Sequence, residues 1–89
     1  MLNFYKKKLY QYEEMLINIE IELNNSINIT SSILAKLNGE LDNIQFNRID
    51  SIITHNLSEK DKNEIIIHRK KLNKYAEHIR NRIFDLYVK

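Results

Sequence analysis

The side chains that could do chemistry cluster between positions 64 and 82. Glu64 and His68 stand four apart, the spacing that sets two metal ligands on one side of a helix. Around them runs "HRKKLNKYAEHIRNR", residues 68–82, in which six of fifteen residues are Arg or Lys. Such a run could grip a phosphate backbone, and Tyr75 between its basic turns could stack on a base. Each chemistry makes a demand. A metal needs a third ligand, and the chain has three His and no Cys; His78 points to another side of the same helix. A phosphate track needs its cations on one side. At a helical turn of about 100° per residue, Arg69, Lys70, Lys71, Lys74, Arg80 and Arg82 spread over the whole polar arc, with Glu77 and Asp85 among them. Tyr75 falls on the inward arc. The stretch therefore reads mainly as the wet side of a helix, with nucleic-acid contact through those six residues as the runner-up. No metal, no cofactor and no catalytic residues are expected, because there is no glycine-rich loop and no Ser–His pair with a plausible third partner.

What must position these residues is a chain of 89 residues, enough for one domain over 1–89, with a net charge of +2. A small chain without Cys cannot be stapled by disulfides, which makes self-association the stabiliser to look for. Its longest aliphatic run, Ile65–Ile67, is far too short to span a membrane. With no signal peptide legible at the N-terminus, a soluble cytoplasmic protein is expected. Richness in Ile, Asn, Lys and Tyr suggests an AT-rich genome, that of a low-GC bacterium, a plasmid or a phage, whose product would work in the host-cell cytoplasm.

Pro is absent and Gly occurs once, at Gly39, so hairpins and tight loops are hard to build and helices are the natural element. Three are predicted, at about 2–24, 31–55 and 59–88, forming an all-α, three-helix up-down-up bundle with the character of an antiparallel coiled coil. In the first, Leu2, Tyr5, Leu9, Tyr12, Leu16, Ile19 and Leu23 alternate steps of three and four, a heptad seam. "NNSINIT" breaks it, and Thr30, Ser31 or Ser32 can cap a second helix with the stripe Ile33, Leu34, Leu37, Leu41, Ile44 and Ile52. Ser58 caps the third, with Glu59 and Asp61 in its first turn and Ile65, Leu72, Tyr75, Ala76, Ile79, Ile83 and Leu86 inward. Parallel first and third helices would bring Lys6, Lys7 and Lys8 near Glu59, Asp61 and Glu64, Glu13 and Glu14 beside Lys70, Lys71 and Lys74, and Glu20 and Glu22 beside Arg80 and Arg82. A parallel association of two chains would satisfy the same pattern.

Each helix also carries a second apolar patch. Tyr10, Ile17 and Ile21 cluster on the first, with Phe4 and Met15 widening the edge of its seam; Phe46, Ile49 and Ile53 lie opposite Leu41 on the second; Ile66 and Phe84 share an angle on the third. Either the helices are rotated and these residues complete the core, or they face a partner. Symmetric homodimers are the commonest oligomers. Arg48 falls inside the second stripe, where it reaches solvent or forms a buried ion pair with Glu13 or Glu20. His68 occupies an inward position of the third helix.

"LNGELDNI", residues 37–44, resembles the SQELD helix of the Spo0E-like aspartyl-phosphate phosphatases, short helical hairpins that act on response regulators. The resemblance puts Asp42 at their motif Asp, with Asn38 and Gly39 in place of Ser and Gln. It covers one short segment and leaves the third helix unaccounted for. The main expectation is a non-enzymatic interaction protein, a homodimeric regulator or inhibitor that binds a partner protein.

Overall fold

The computed structural model describes residues 2–25, 27–46 and 57–88. Among them run three helices and no strand: α1 (Leu2–Asn25), α2 (Ser31–Asp42) and α3 (Glu59–Tyr87). All three pack on one another as an all-α bundle.

Side-chain pairs fix the directions. Lys6 Nζ lies 3.0 Å from Glu64, His68 Nε2 lies 3.8 Å from Glu13, and the Tyr75 hydroxyl donates to Glu20 at 2.8 Å. Arg82 donates to Asn24 at 2.8 Å. Positions therefore rise together along α1 and α3, which are parallel. On α2, Lys36 reaches back to Glu22 at 3.2 Å, and Phe46, after the helix end, meets Tyr12. The helix between the parallel pair runs the other way, as an up-down-up bundle requires.

Local sequence explains each boundary. Thr30 is extended and its hydroxyl accepts the Ile33 N–H at 3.2 Å, while Ser58 does the same for the Asp61 N–H. Each cap satisfies a donor that the first helical turn leaves without an intrahelical partner. Glu59 and Asp61 place negative charge at the positive end of α3. α1 has no acid in its first turn, and its Lys6 pairs with Glu64 of α3.

The second helix is shorter than expected. It stops at Asp42, not at residue 55, with Asn43 as C-cap; the N–H groups of Asn43 and Ile44 bond back three residues, to Glu40 and Leu41. Asp and Asn compete with helix through their own short side chains, and this tightening closes the last turn. Ile52, like Arg48, Ile49 and Ile53, lies outside the described residues.

The core is the pair of seams closed by α2. Tyr5, Leu9, Tyr12, Leu16, Ile19 and Leu23 of α1 are buried against Leu34, Leu37 and Leu41 of α2 and Ile65, Leu72, Ala76, Ile79 and Ile83 of α3. Ile33, Ile44, Tyr75 and Leu86 pack at its edge, half-buried. The predicted stripes are thus the buried ones, apart from Leu2 and Ile52, whose side chains are not described.

Candidate functional site

The apolar residues of α1 fall into two sets of opposite fate. While the inner seam is closed, Tyr10, Ile17 and Ile21 remain 60%, 42% and 49% exposed. They belong to a second row with the same alternation of three and four: Asn3, Lys7, Tyr10, Glu14, Ile17, Ile21, Asn24. Met15 packs on the core instead, and Phe4 is exposed, edge-on to Tyr5.

α3 contributes a matching outer row. Ile67 is 56% exposed and lines one shallow depression with Tyr10, Leu9, His68 and Lys71. The Tyr10 and His68 rings meet edge-on, centroids 5.0 Å apart. Continuing from Ile67 in the same steps come Lys71, Lys74, His78 and Asn81, all exposed. The side of the bundle away from α2 is thus a surface two helices wide, apolar on α1 and basic on α3.

The six basic residues named from the sequence fall into two groups. Lys70, Lys71, Lys74 and Arg80 are exposed, while Arg69 and Arg82 are half-buried. Arg82 bonds to Asn24 on α1, and Arg80 lines a groove with Asn38 and Asp42 of α2 and with Phe84 and Tyr87. Arg69 is half-buried, its guanidinium 5.5 Å from the centre of the Phe46 ring. Its spacing accounts for its position: Ile65, Arg69, Leu72, Ala76, Ile79 continue the three-four alternation, which makes Arg69 a member of the seam. Stacking on an aromatic face suits a guanidinium there.

Phe46 corrects an expectation. Of the two expectations for it, a partner surface or a place in the core, the structure has the second: it is 8% exposed, edge-on to Tyr12 with centroids 5.8 Å apart. The first assumed that the helix continued; once α2 ends at Asp42, the angle that set Phe46 opposite Leu41 no longer exists. On α3, Ile66 is half-buried and Phe84 is 63% exposed. Ile49, Ile53 and Arg48 cannot be placed on either side, being outside the described residues.

Where α1 and α3 meet, polar side chains engage one another across the two helices. Glu64 and His68, the candidate ligand pair, turn to different residues of α1, Lys6 and Glu13. Hydrogen bonding to Lys6, then its charge, lowers the Glu64 pKa, and the same contact raises that of Lys6. Burial, followed by the hydrogen bond to Glu20, pushes the Tyr75 hydroxyl up to about 12. Among the described residues no group of three or more His, Asp or Glu is placed to hold a metal ion. No described helix is long and apolar enough to cross a membrane. Asp42 ends α2 at the surface, beside Arg80.

Compared with protein-family models, curated proteins and solved structures, the chain matches none.

Proposed function

We propose that this chain is a non-enzymatic helical interaction protein, a homodimeric regulator or inhibitor that works by covering the surface of a partner protein. The observation that supports this reading is the outer row of α1. A helix already anchored by six buried side chains on one side still carries Tyr10, Ile17 and Ile21 in register on the other. Single exposed apolar residues are ordinary on a protein surface, whereas aligned ones mark a surface that is covered in use. Phe84 and Tyr87, exposed at the far end of α3, offer a second contact for a foreign protein. A regulator encoded by a phage, a plasmid or a low-GC bacterium and acting in the cytoplasm is consistent with the composition.

Light scattering tests the reading: a mass at least twice the 10.7 kDa chain is expected, and a monomer at high concentration removes the homodimer. Immobilised wild-type chain should retain a host protein that a Phe84→Glu variant of equal helicity releases.

A second reading is favoured by one observation, the exposure of Lys70, Lys71 and Lys74 together on α3. These, with the exposed Arg80, could contact nucleic acid while Arg69 and Arg82 pack on neighbouring elements. A gel-shift titration across salt should then show affinity falling steeply with ionic strength; no binding at low salt removes this reading.

A further inference from the structure

We infer that the surface formed by α1 and α3, on the side away from α2, docks a second copy of this chain in parallel, each α1 lying over the partner's α3 about a two-fold axis along the bundle. The inference rests on the homodimer reading above and specifies its interface.

Symmetry leaves little freedom. Two layers of two parallel helices meeting face to face about a two-fold axis have two aligned arrangements. With the axis across the helices, α1 meets α1 and α3 meets α3, both antiparallel. With the axis along them, α1 meets α3 in parallel, and every residue keeps its level. In the second case the register is already fixed inside one chain. Glu20 lies beside Tyr75 and Asn24 beside Arg82, 55 and 58 positions apart, so a residue of α1 meets the partner's α3 at the same offset.

At that register the two outer rows complement each other. Tyr10 falls level with the partner's Ile67, and Glu14 with the partner's Lys71. Ile17 falls level with the partner's Lys74, whose methylene stem can cover it. The other arrangement sets the central Lys71 and Lys74 of each α3 against the same lysines of its partner. Like charges facing across an interface oppose association, whereas a Glu–Lys pair fixes its register. Charge therefore selects the parallel form. Size permits it: the protein measures 48 × 19 × 16 Å, and its broad side can supply the roughly 800 Å² per partner of a standard interface.

Cross-linking tests the geometry, since the natural chain has no cysteine. Two singly substituted full-length chains, Ile17→Cys and Lys74→Cys, are mixed and oxidised. A heterodimeric disulfide is expected, with little self-coupling of Ile17→Cys. Efficient self-coupling of Ile17→Cys instead overturns the parallel form. Glu14→Lys should weaken the dimer at least about tenfold, the order expected of a like-charge juxtaposition, and Lys71→Glu in the same chain should restore it. Both positions are exposed, so folding is not at stake. A dimer indifferent to Glu14→Lys and to Ile17→Lys, each of which sets like charges face to face, overturns this interface while leaving self-association standing; a monomeric wild type overturns both.

Discussion

The two sides of α1 differ in their neighbours more than in their pattern. The inner row, Tyr5 to Leu23, and the outer row, Lys7 to Ile21, follow the same three-four alternation on one helix. The inner row is closed by α2 and α3 and none of its described members is more than 4% exposed. The outer row interleaves apolar with charged residues and meets no third helix. Periodicity thus states which residues prefer to leave water, and the arrangement of the other helices decides which of them do so within one chain.

Substitutions can break or sharpen this contrast. The largest effect should come from Leu16→Ala, which empties a fully buried site and should cost about 2–5 kcal/mol in urea unfolding. Its neighbour Ile17→Ala, on the outer row, should change the stability of dilute protein by less than about 0.5 kcal/mol. Equal losses at the two sites would erase the distinction between rows.

Next comes Tyr75→Phe, which removes the hydrogen bond to Glu20 along the seam between the rows and should cost about 1 kcal/mol. This variant also carries a pH signature. Because the folded hydroxyl titrates at about 12 rather than at the ordinary 10.0, the folded state holds its proton longer than the unfolded chain does. The stabilisation is complete below pH 10 and is lost as pH rises toward 12. Alkaline titration of stability should show that fall in wild type and a shallower one in Tyr75→Phe.

Comparable or smaller effects should come from α2, which closes the inner row. Thr30→Ala removes its N-cap and should cost about 1 kcal/mol. Gly39→Ala should do the reverse. An added Cβ meets nothing within 4 Å in this helical, exposed position, so thermal unfolding should show a gain of about 0.5–1 kcal/mol.

Much of the bundle was legible in the sequence. The seam of α1, the caps Thr30 and Ser58 and the parallel course of α1 and α3 follow from spacing, from short polar side chains and from charge. Of the expected contacts, however, it is Lys6–Glu64 that forms, while Glu13 meets His68, Glu20 takes the Tyr75 hydroxyl and Arg82 bonds to Asn24. The end of α2 was not. Ile44 and Phe46 keep the apolar rhythm going past Asp42 and Asn43, and an apolar residue in a turn can reach the core as well as one in a helix. Arg69 was misread for the opposite reason. Its charge suggested solvent, while its spacing placed it in the seam, where an aromatic ring accommodates the guanidinium. For the outer row, composition and spacing identify Tyr10, Ile17 and Ile21 as a set, but only the folded chain shows that α2 lies on the far side and leaves them uncovered.

The concentration dependence of the thermal midpoint tests most directly whether the outer row is an interface. A dimer that buries it gains stability by mass action, so the wild-type midpoint should climb as protein concentration is raised, while that of Ile17→Lys with Ile21→Lys stays constant at unchanged helicity. A wild-type midpoint that stays fixed across the same range, or a double variant that loses its helix signal, contradicts it.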